Sequence, residues 1–250
     1  MMKKKLITGI ATLLLGVSLL TGCGSKSEKY MIATDVTYAP FEFEQNGKYV
    51  GIDIELLEAI AKAEGFTYEL KPMDFSGIIP GVQANQLDGA IAGISITDER
   101  KKSVDYSNEY FDSGVAIVAK ADSTLTGESD LQGKTFAVKK GTAGAAYAES
   151  ILAKYGAKII YFNDTPSMFQ AVTSGNADVC FEDYPVAMYK FKTETNPELK
   201  VIGDKVTSTP YGFIVKKGAN AELLAKFNAG LAKVKASGEY DAIIAKYIGK

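Results

Sequence analysis

One stretch of this chain is written twice, 90 positions apart, and that repetition narrows the fold more than any other feature. Asp74 aligns with Asp164, Ile79 with Phe169, Val82 with Val172 and Asp88 with Asp178. In each copy a strand leads to an aspartate, then a helix, then a turn and another strand; the turns are Asn85-Gln86-Leu87-Asp88 and Gly175-Asn176-Ala177-Asp178. The surrounding chain keeps the same rhythm. Residues 30–34 read as a first strand, and 41–49 as a hairpin turning at Asn46-Gly47, a strong short-range turn signal. Asp53 is placed to cap a helix that carries Ile54, Leu57 and Ala61 on one face, with Leu56, Ile60 and Ala63 beside them, and ends at Gly65. A strand at 67–71, a helix from about residue 78 and a strand at 89–91 follow. This β-α-β order predicts mainly parallel sheets with helices on both faces. A duplicated unit fits two lobes better than one continuous sheet, so the expected fold is α/β and two-lobed. In such sheets ligands collect beyond the C-terminal strand ends. Those ends are Ala92-Gly93 in one copy and Glu182-Asp183 in the other. A backbone carbonyl and a carboxylate facing one gap would suit an ammonium group.

The N-terminus sets the compartment. Lys3, Lys4 and Lys5 precede an apolar run over residues 6–20, shorter than the ~20 residues a membrane span needs. The run ends in Leu20-Thr21-Gly22-Cys23, which resembles a bacterial lipobox, with cleavage before Cys23 and acylation of its sulfur. An ordinary cleavage site with an incidental cysteine is the alternative. On the lipobox reading 1–22 is a signal peptide, 23–29 a lipid-anchored linker, and the protein sits on the outer face of the cell membrane. Loss of the three lysines changes 28 cations against 30 anions to 25 against 30, a net charge of −5. So acidic a balance offers nothing for nucleic acid to grip. Cys180 lies in the apolar run Ala177-Asp178-Val179-Cys180-Phe181; with Cys23 committed to lipid it has no disulfide partner and reads as core.

Absences narrow the chemistry. Without histidine there is no Ser-His-Asp or Cys-His scheme, and most zinc sites are excluded. No phosphate-binding glycine motif appears, and no cofactor is implied. Arg100 is the only arginine; every other cationic side chain is lysine.

Several segments, taken in order, carry a resemblance: Ala33-Thr34-Asp35, Ala39-Pro40-Phe41-Glu42-Phe43, Gly51-Ile52-Asp53-Ile54, Met73-Asp74-Phe75-Ser76-Gly77-Ile78-Ile79-Pro80, and Ala92-Gly93-Ile94-Ser95-Ile96-Thr97-Asp98-Glu99-Arg100. From about residue 30 to 247 the chain resembles the polar amino-acid solute-binding proteins (family 3) of bacterial ABC importers, most closely the glutamine-binding branch. The resemblance implies a periplasmic-binding-protein-like fold with lobe 1 at 30–110 and 211–250, lobe 2 at 114–207, and hinge strands near 110–114 and 207–211. It also implies a monomer that binds a free amino acid by hinge closure and docks on a transmembrane permease.

Each site residue has a plainer reading beside the functional one. Arg100 is either a surface cation paired with a nearby acid or a bidentate clamp on the ligand α-carboxylate, a task for which lysine is unsuited. Backbone N–H groups near Ser95 and at Thr142-Ala143, opening a helix, can share that carboxylate. Asp183 can cap the helix starting at Tyr184-Pro185; the family position also gives it the α-ammonium, shared with the Gly93 carbonyl. Tyr38 and Phe75 are core aromatics or a sandwich around the ligand side chain. Lys139 is a solvated loop lysine or, with Asp35, one donor and one acceptor for a side-chain amide, which points to glutamine. Glu182 adds negative charge and favours a basic amino acid, arginine, lysine or histidine, as the alternative. Ala143, where the family often has glycine or serine, narrows the floor. A dehydratase on the same fold, with Glu182 as general acid, is the enzymatic rival.

Overall fold

The computed structural model describes residues 29–249. The leader, Cys23 and its lipobox lie outside the described residues. Lobe 1 begins with β1 (Tyr30–Thr34), β2 (Thr37–Tyr38), β3 (Glu42–Gln45) and β4 (Lys48–Val50), then α1 (Ile52–Glu64), β5 (Tyr68–Pro72), α2 (Phe75–Gln83), β6 (Gly89–Ala90), α3 (Asp98–Lys101) and β7 (Val104–Tyr106). Lobe 2 contains β8 (Val115–Lys120), β9 (Thr135–Lys139), α4 (Ala143–Ile151), β10 (Lys158–Phe162), α5 (Thr165–Thr173), β11 (Val179–Asp183), α6 (Tyr184–Thr193) and β12 (Leu199–Ile202). The chain then returns to lobe 1 as β13 (Ile214–Lys216), α7 (Ala221–Ala236) and α8 (Glu239–Tyr247).

The two five-stranded sheets have the same plan, β5-β1-β6-β13-β7 and β10-β9-β11-β8-β12. In each, three parallel strands meet an antiparallel one, β13 or β8, which is the first strand formed after a crossing between lobes. Each sheet is thus mixed but mainly parallel, four strands running one way and only β13 or β8 the other. The sequence repeat coincides with this plan: shifting β5 and α2 by 90 positions gives the bounds of β10 and α5. Its aspartates close the same strand edges. Asp88 Oδ2 accepts from Met31 N–H at 2.7 Å and Asp178 Oδ2 from Thr135 N–H at 2.8 Å. Each aspartate N–H donates back to the carbonyl of the same partner at 2.9 Å.

Local chemistry explains most boundaries. Asn46 and Gly47 take φ 54° and 74°, the left-handed pair that a tight hairpin requires between β3 and β4. Gly65 closes α1 in the left-handed region. Asp53 does not cap α1; the N-cap is Gly51, and Asp53 is the second helical residue, wholly buried. Gly51 has that place because its φ is 129° and a Cβ there would meet Phe41 O at 2.1 Å. Helix α2 starts at Phe75, a turn earlier than expected, with Pro80 inside it. Apolar side chains of α1 pack under α7, and Cys180 is a buried free thiol in the core.

The two crossing segments lie side by side. Tyr211 N–H donates to Phe111 O at 2.8 Å, Tyr110 N–H to Tyr211 O at 3.0 Å, and Thr209 N–H to Ser113 O at 3.1 Å. Gly114 permits this pairing, since a Cβ there would lie 2.1 Å from Thr207 O. Among the described residues no helix is long and apolar enough to cross a membrane.

Candidate functional site

The C-terminal ends of β6, β9 and β11 point toward one another between the lobes, as duplicated sheets facing each other must. Nine of the residues singled out by sequence line one cavity there: Tyr38, Phe75, Gly93, Ser95, Arg100, Lys139, Thr142, Ala143 and Asp183. They come from β2, the start of α2, the segment after β6, α3, the end of β9, the start of α4 and the end of β11. A larger apolar groove of about 640 Å³, lined by residues such as Phe111, Tyr184 and Met188, lies outside this constellation and presents few polar groups. The small cavity is where charge converges.

At one end stands Arg100. Thr97 caps its short helix, accepting from Arg100 N–H at 3.2 Å. The guanidinium Nη1 donates to Ser95 O and Nη2 to Gly141 O, each at 2.9 Å, so it bridges the lobes. It lies 5.6 Å from the Phe75 ring centroid. Opposite, Thr142 caps α4 by accepting from Ala145 N–H at 3.1 Å. That leaves the N–H groups of Ala143 and Gly144 without an acceptor within the helix, at the positive end of its dipole. Guanidinium and helix terminus together concentrate positive charge at this end of the cavity.

Asp183 forms the opposite pole. As N-cap of α6 its side chain makes no capping bond. Its Oδ2 instead accepts from Tyr38 OH at 2.7 Å and Tyr211 OH at 2.5 Å. The helix-capping reading of its side chain is thus corrected: two buried phenols are stronger competitors than a backbone N–H. Glu182 Oε1 accepts from Asp183 N–H at 2.7 Å and Tyr38 OH at 3.1 Å, while its buried Oε2 has no donor among the described residues. Burial, reinforced by the neighbouring Asp183 charge, pushes the Glu182 carboxyl up to about 7. Burial also raises Asp183, opposed by its phenol bonds and by Arg100 and Lys139. The Tyr38 and Tyr211 hydroxyls are held well above the ordinary phenol range by burial and by these acids.

Asp35 is the one singled-out ligand contact that does not line the cavity. It is 3% exposed, and its Oδ2 takes an ion pair with Lys139 Nζ, also buried, from the other lobe. Its Oδ1 accepts from Val36 N–H at 2.6 Å and from Thr37 N–H and Oγ1 at 3.1 and 3.0 Å. In this arrangement donor and acceptor satisfy each other instead of standing free for an amide. Lys139 is also 4.9 Å from the Tyr38 ring and 5.7 Å from the Phe75 ring, a cation between two π faces.

Gly93 turns with φ 53°; a Cβ there would lie 2.7 Å from Tyr38 Cε1. Its N–H is held at 2.8 Å by Asp53 Oδ2, which also accepts Tyr110 OH at 2.8 Å. Sequence reasoning missed Asp53 in this role and missed Glu42 and Tyr211 altogether. Glu42 left one signal, an acid flanked by Phe41 and Phe43.

Site residues hold the lobes shut through Lys139–Asp35, Tyr38–Asp183 and Arg100–Gly141. The cavity leaves only about 10 Å³ for the centre of a water molecule, roughly what one water needs. Nothing larger fits this closed arrangement.

Comparisons with known proteins place the chain in a family. The arginine-binding extracellular protein ArtP of Bacillus subtilis (strain 168) is 31% identical over 235 residues, covering 91% of this chain and 92% of that protein. The arginine-, lysine-, histidine-binding protein ArtJ of Geobacillus stearothermophilus superposes with a TM-score of 0.83 at 37% identity, covering 89% of this chain and 96% of that one. An ancestral arginine-binding protein bound to glutamine gives 0.81 at 40% identity, over 89% of this chain and 98% of its own. All three share the two-lobed plan or the sequence that specifies it, and residues 30–250 match one family throughout. The chain belongs to the bacterial extracellular solute-binding proteins, family 3.

Proposed function

We propose that this protein captures one free α-amino acid between its lobes and presents it to the transmembrane permease of an ABC importer. One observation carries the reading: a guanidinium with a helix N-terminus and a carboxylate with a bare glycine carbonyl converge from both lobes on one enclosed space. A zwitterion fits those two poles. Its carboxylate takes Arg100 and the first turn of α4, replacing the Ser95 and Gly141 carbonyls. Its ammonium takes Asp183 and Gly93 O. Burying either charge alone costs several kcal/mol, so the ligand needs both poles, and both exist only when the lobes close. The crossing segments at 110–114 and 207–211 act as the hinge. Enclosure on this scale suits affinity of about micromolar or better, roughly −8 kcal/mol.

The side chain then meets the Lys139–Asp35 pair. A glutamine amide can insert there, its carbonyl accepting from Lys139 and its NH₂ donating to Asp35, without leaving net charge. A basic side chain would set a second cation beside Lys139. Arginine, lysine or histidine is the second reading, favoured by the ligands for which ArtP and ArtJ are named and by the buried Glu182 Oε2, which has no partner among the described residues. Cys23, acylated, would tether the protein as a monomer on the outer membrane face, and Cys23→Ser would release it.

Calorimetry of protein refolded to remove carried-over ligand, against all twenty amino acids, is the test. Binding of glutamine that Lys139→Ala weakens more than it weakens arginine supports the amide reading. Equal losses, or arginine binding tightly where glutamine does not, would transfer the assignment to a basic ligand.

A further inference from the structure

Next to the Gly93 segment, β3 and α1 bring two acids together. Glu42 and Asp53 are both completely buried, and Asp53 N–H donates at 2.9 Å to the carbonyl of Phe41, the residue before Glu42; each carboxyl acts on the ionisation of the other. Asp53 Oδ2 has two donors, Gly93 N–H and Tyr110 OH. Asp53 Oδ1 and both Glu42 oxygens have none among the described residues. Two ionised carboxylates cannot be packed side by side away from water; a single proton between them removes one charge and supplies the missing donor. The partners decide which acid keeps it. Asp53 has donors that favour the anion, whereas Glu42 has no donor. The other charges that act on Glu42 are Asp35, which opposes its ionisation, and Lys139, which favours it.

We propose that Glu42 is a neutral acid donating its proton to Asp53 Oδ1, and that the Asp53 anion so fixed is a positioning residue for amino-acid capture. Its two other bonds join parts that must move together. One holds Gly93 in its left-handed turn, aiming the carbonyl read above as an ammonium acceptor. The other holds Tyr110, whose N–H bonds Tyr211 O where the crossing segments begin. The ligand-binding turn and the hinge therefore share one buried anchor. This positioning role rests on the amino-acid reading of the site; the protonation of Glu42 does not.

NMR of the ligand-free protein, with ¹³C-labelled carboxyl groups, tests the pair directly. The Glu42 carboxyl carbon is expected at a protonated shift at pH 7, and the Gly93 amide proton far downfield. Glu42→Gln supplies an NH₂ in place of the acid O–H and should rescue the Gly93 signature, whereas Glu42→Ala should move it. Asp53→Asn should move it furthest and weaken amino-acid binding tenfold or more. If that variant does not fold, Tyr110→Phe, which removes one of the two bonds, should still weaken binding several-fold. A Glu42 carbon titrating near pH 4–5 like a solvated glutamate would overturn the proposal. So would Glu42→Gln and Glu42→Ala shifting the Gly93 amide equally. If the wild type binds no amino acid, the site reading fails while these spectra still decide the proton.

Discussion

Replacing Gly93 by alanine separates backbone strain from closure. The residue sits at φ 53°, where a side chain costs about 1–2 kcal/mol in any state of the lobes. The added Cβ also lies 2.7 Å from Tyr38 Cε1, 3.2 Å from its Cδ1 and 3.4 Å from Tyr211 Cε2. Whether that contact matters depends on whether Tyr38 can retreat. In the closed form it cannot, because its hydroxyl is tied to Asp183 and Glu182 of lobe 2 and its ring packs on Phe41, 6.1 Å between centroids. Opening releases the two acids and lets the ring swing. Overpacking of this kind costs about 1–3 kcal/mol, and here it falls on the closed state alone. Unfolding of ligand-free Gly93→Ala should therefore show a loss of about 1–2 kcal/mol. Calorimetric titration should show a further loss of affinity of about 5-fold to 150-fold. A variant that loses stability yet binds as tightly as wild type would refute the argument, since Tyr38 would then have yielded freely within the closed cleft.

Three further outcomes follow from the same geometry. Arg100→Lys should weaken every amino acid by about 1.5–3 kcal/mol, because an ammonium cannot replace a planar fork; a ligand-dependent loss, read by calorimetry, would place Arg100 on the side chain instead. Burial raises Glu182 to about 7 and Asp53 to about 6, so between the unfolded and folded values the native state holds protons the unfolded chain has released. Stability of the ligand-free protein should then fall as pH rises from about 4, by up to about 1.4 kcal/mol per pH unit per group; the Glu182 and Asp53 contributions end near pH 7, while a neutral Glu42 carries the fall on above it; urea melts at pH 5 and 8 that coincide would refute this. Asp88→Ala and Asp178→Ala each strip one charged acceptor from an equivalent strand edge and should each lower stability by about 1–3 kcal/mol without changing ligand affinity, as melts and titrations would show.

What could be read in the chain beforehand depended on how far away each residue's partners lie. The repeat was legible because α2 and α5 are built by local rules, an aspartate before the first turn and apolar residues at helical spacing, and those rules leave marks within twenty residues. Arg100 stood out for a compositional reason, being the only arginine. Asp53 was misread because an acid in the first turn of a helix is ordinarily a cap, and nothing nearby reveals that Gly93 and Tyr110, 40 and 57 residues away, claim its oxygen. Asp35 and Lys139, 104 residues apart, were each read as free to meet a ligand, yet closure of the lobes makes them meet each other. Glu42 is an unusual strand residue, a completely buried acid at the start of β3. Such violations survive only where distant chain supplies compensation, a cation for Asp35 and a shared proton for Glu42. Local inconsistency in this protein therefore marks the places where the chain gives up local preference to bring buried charges together.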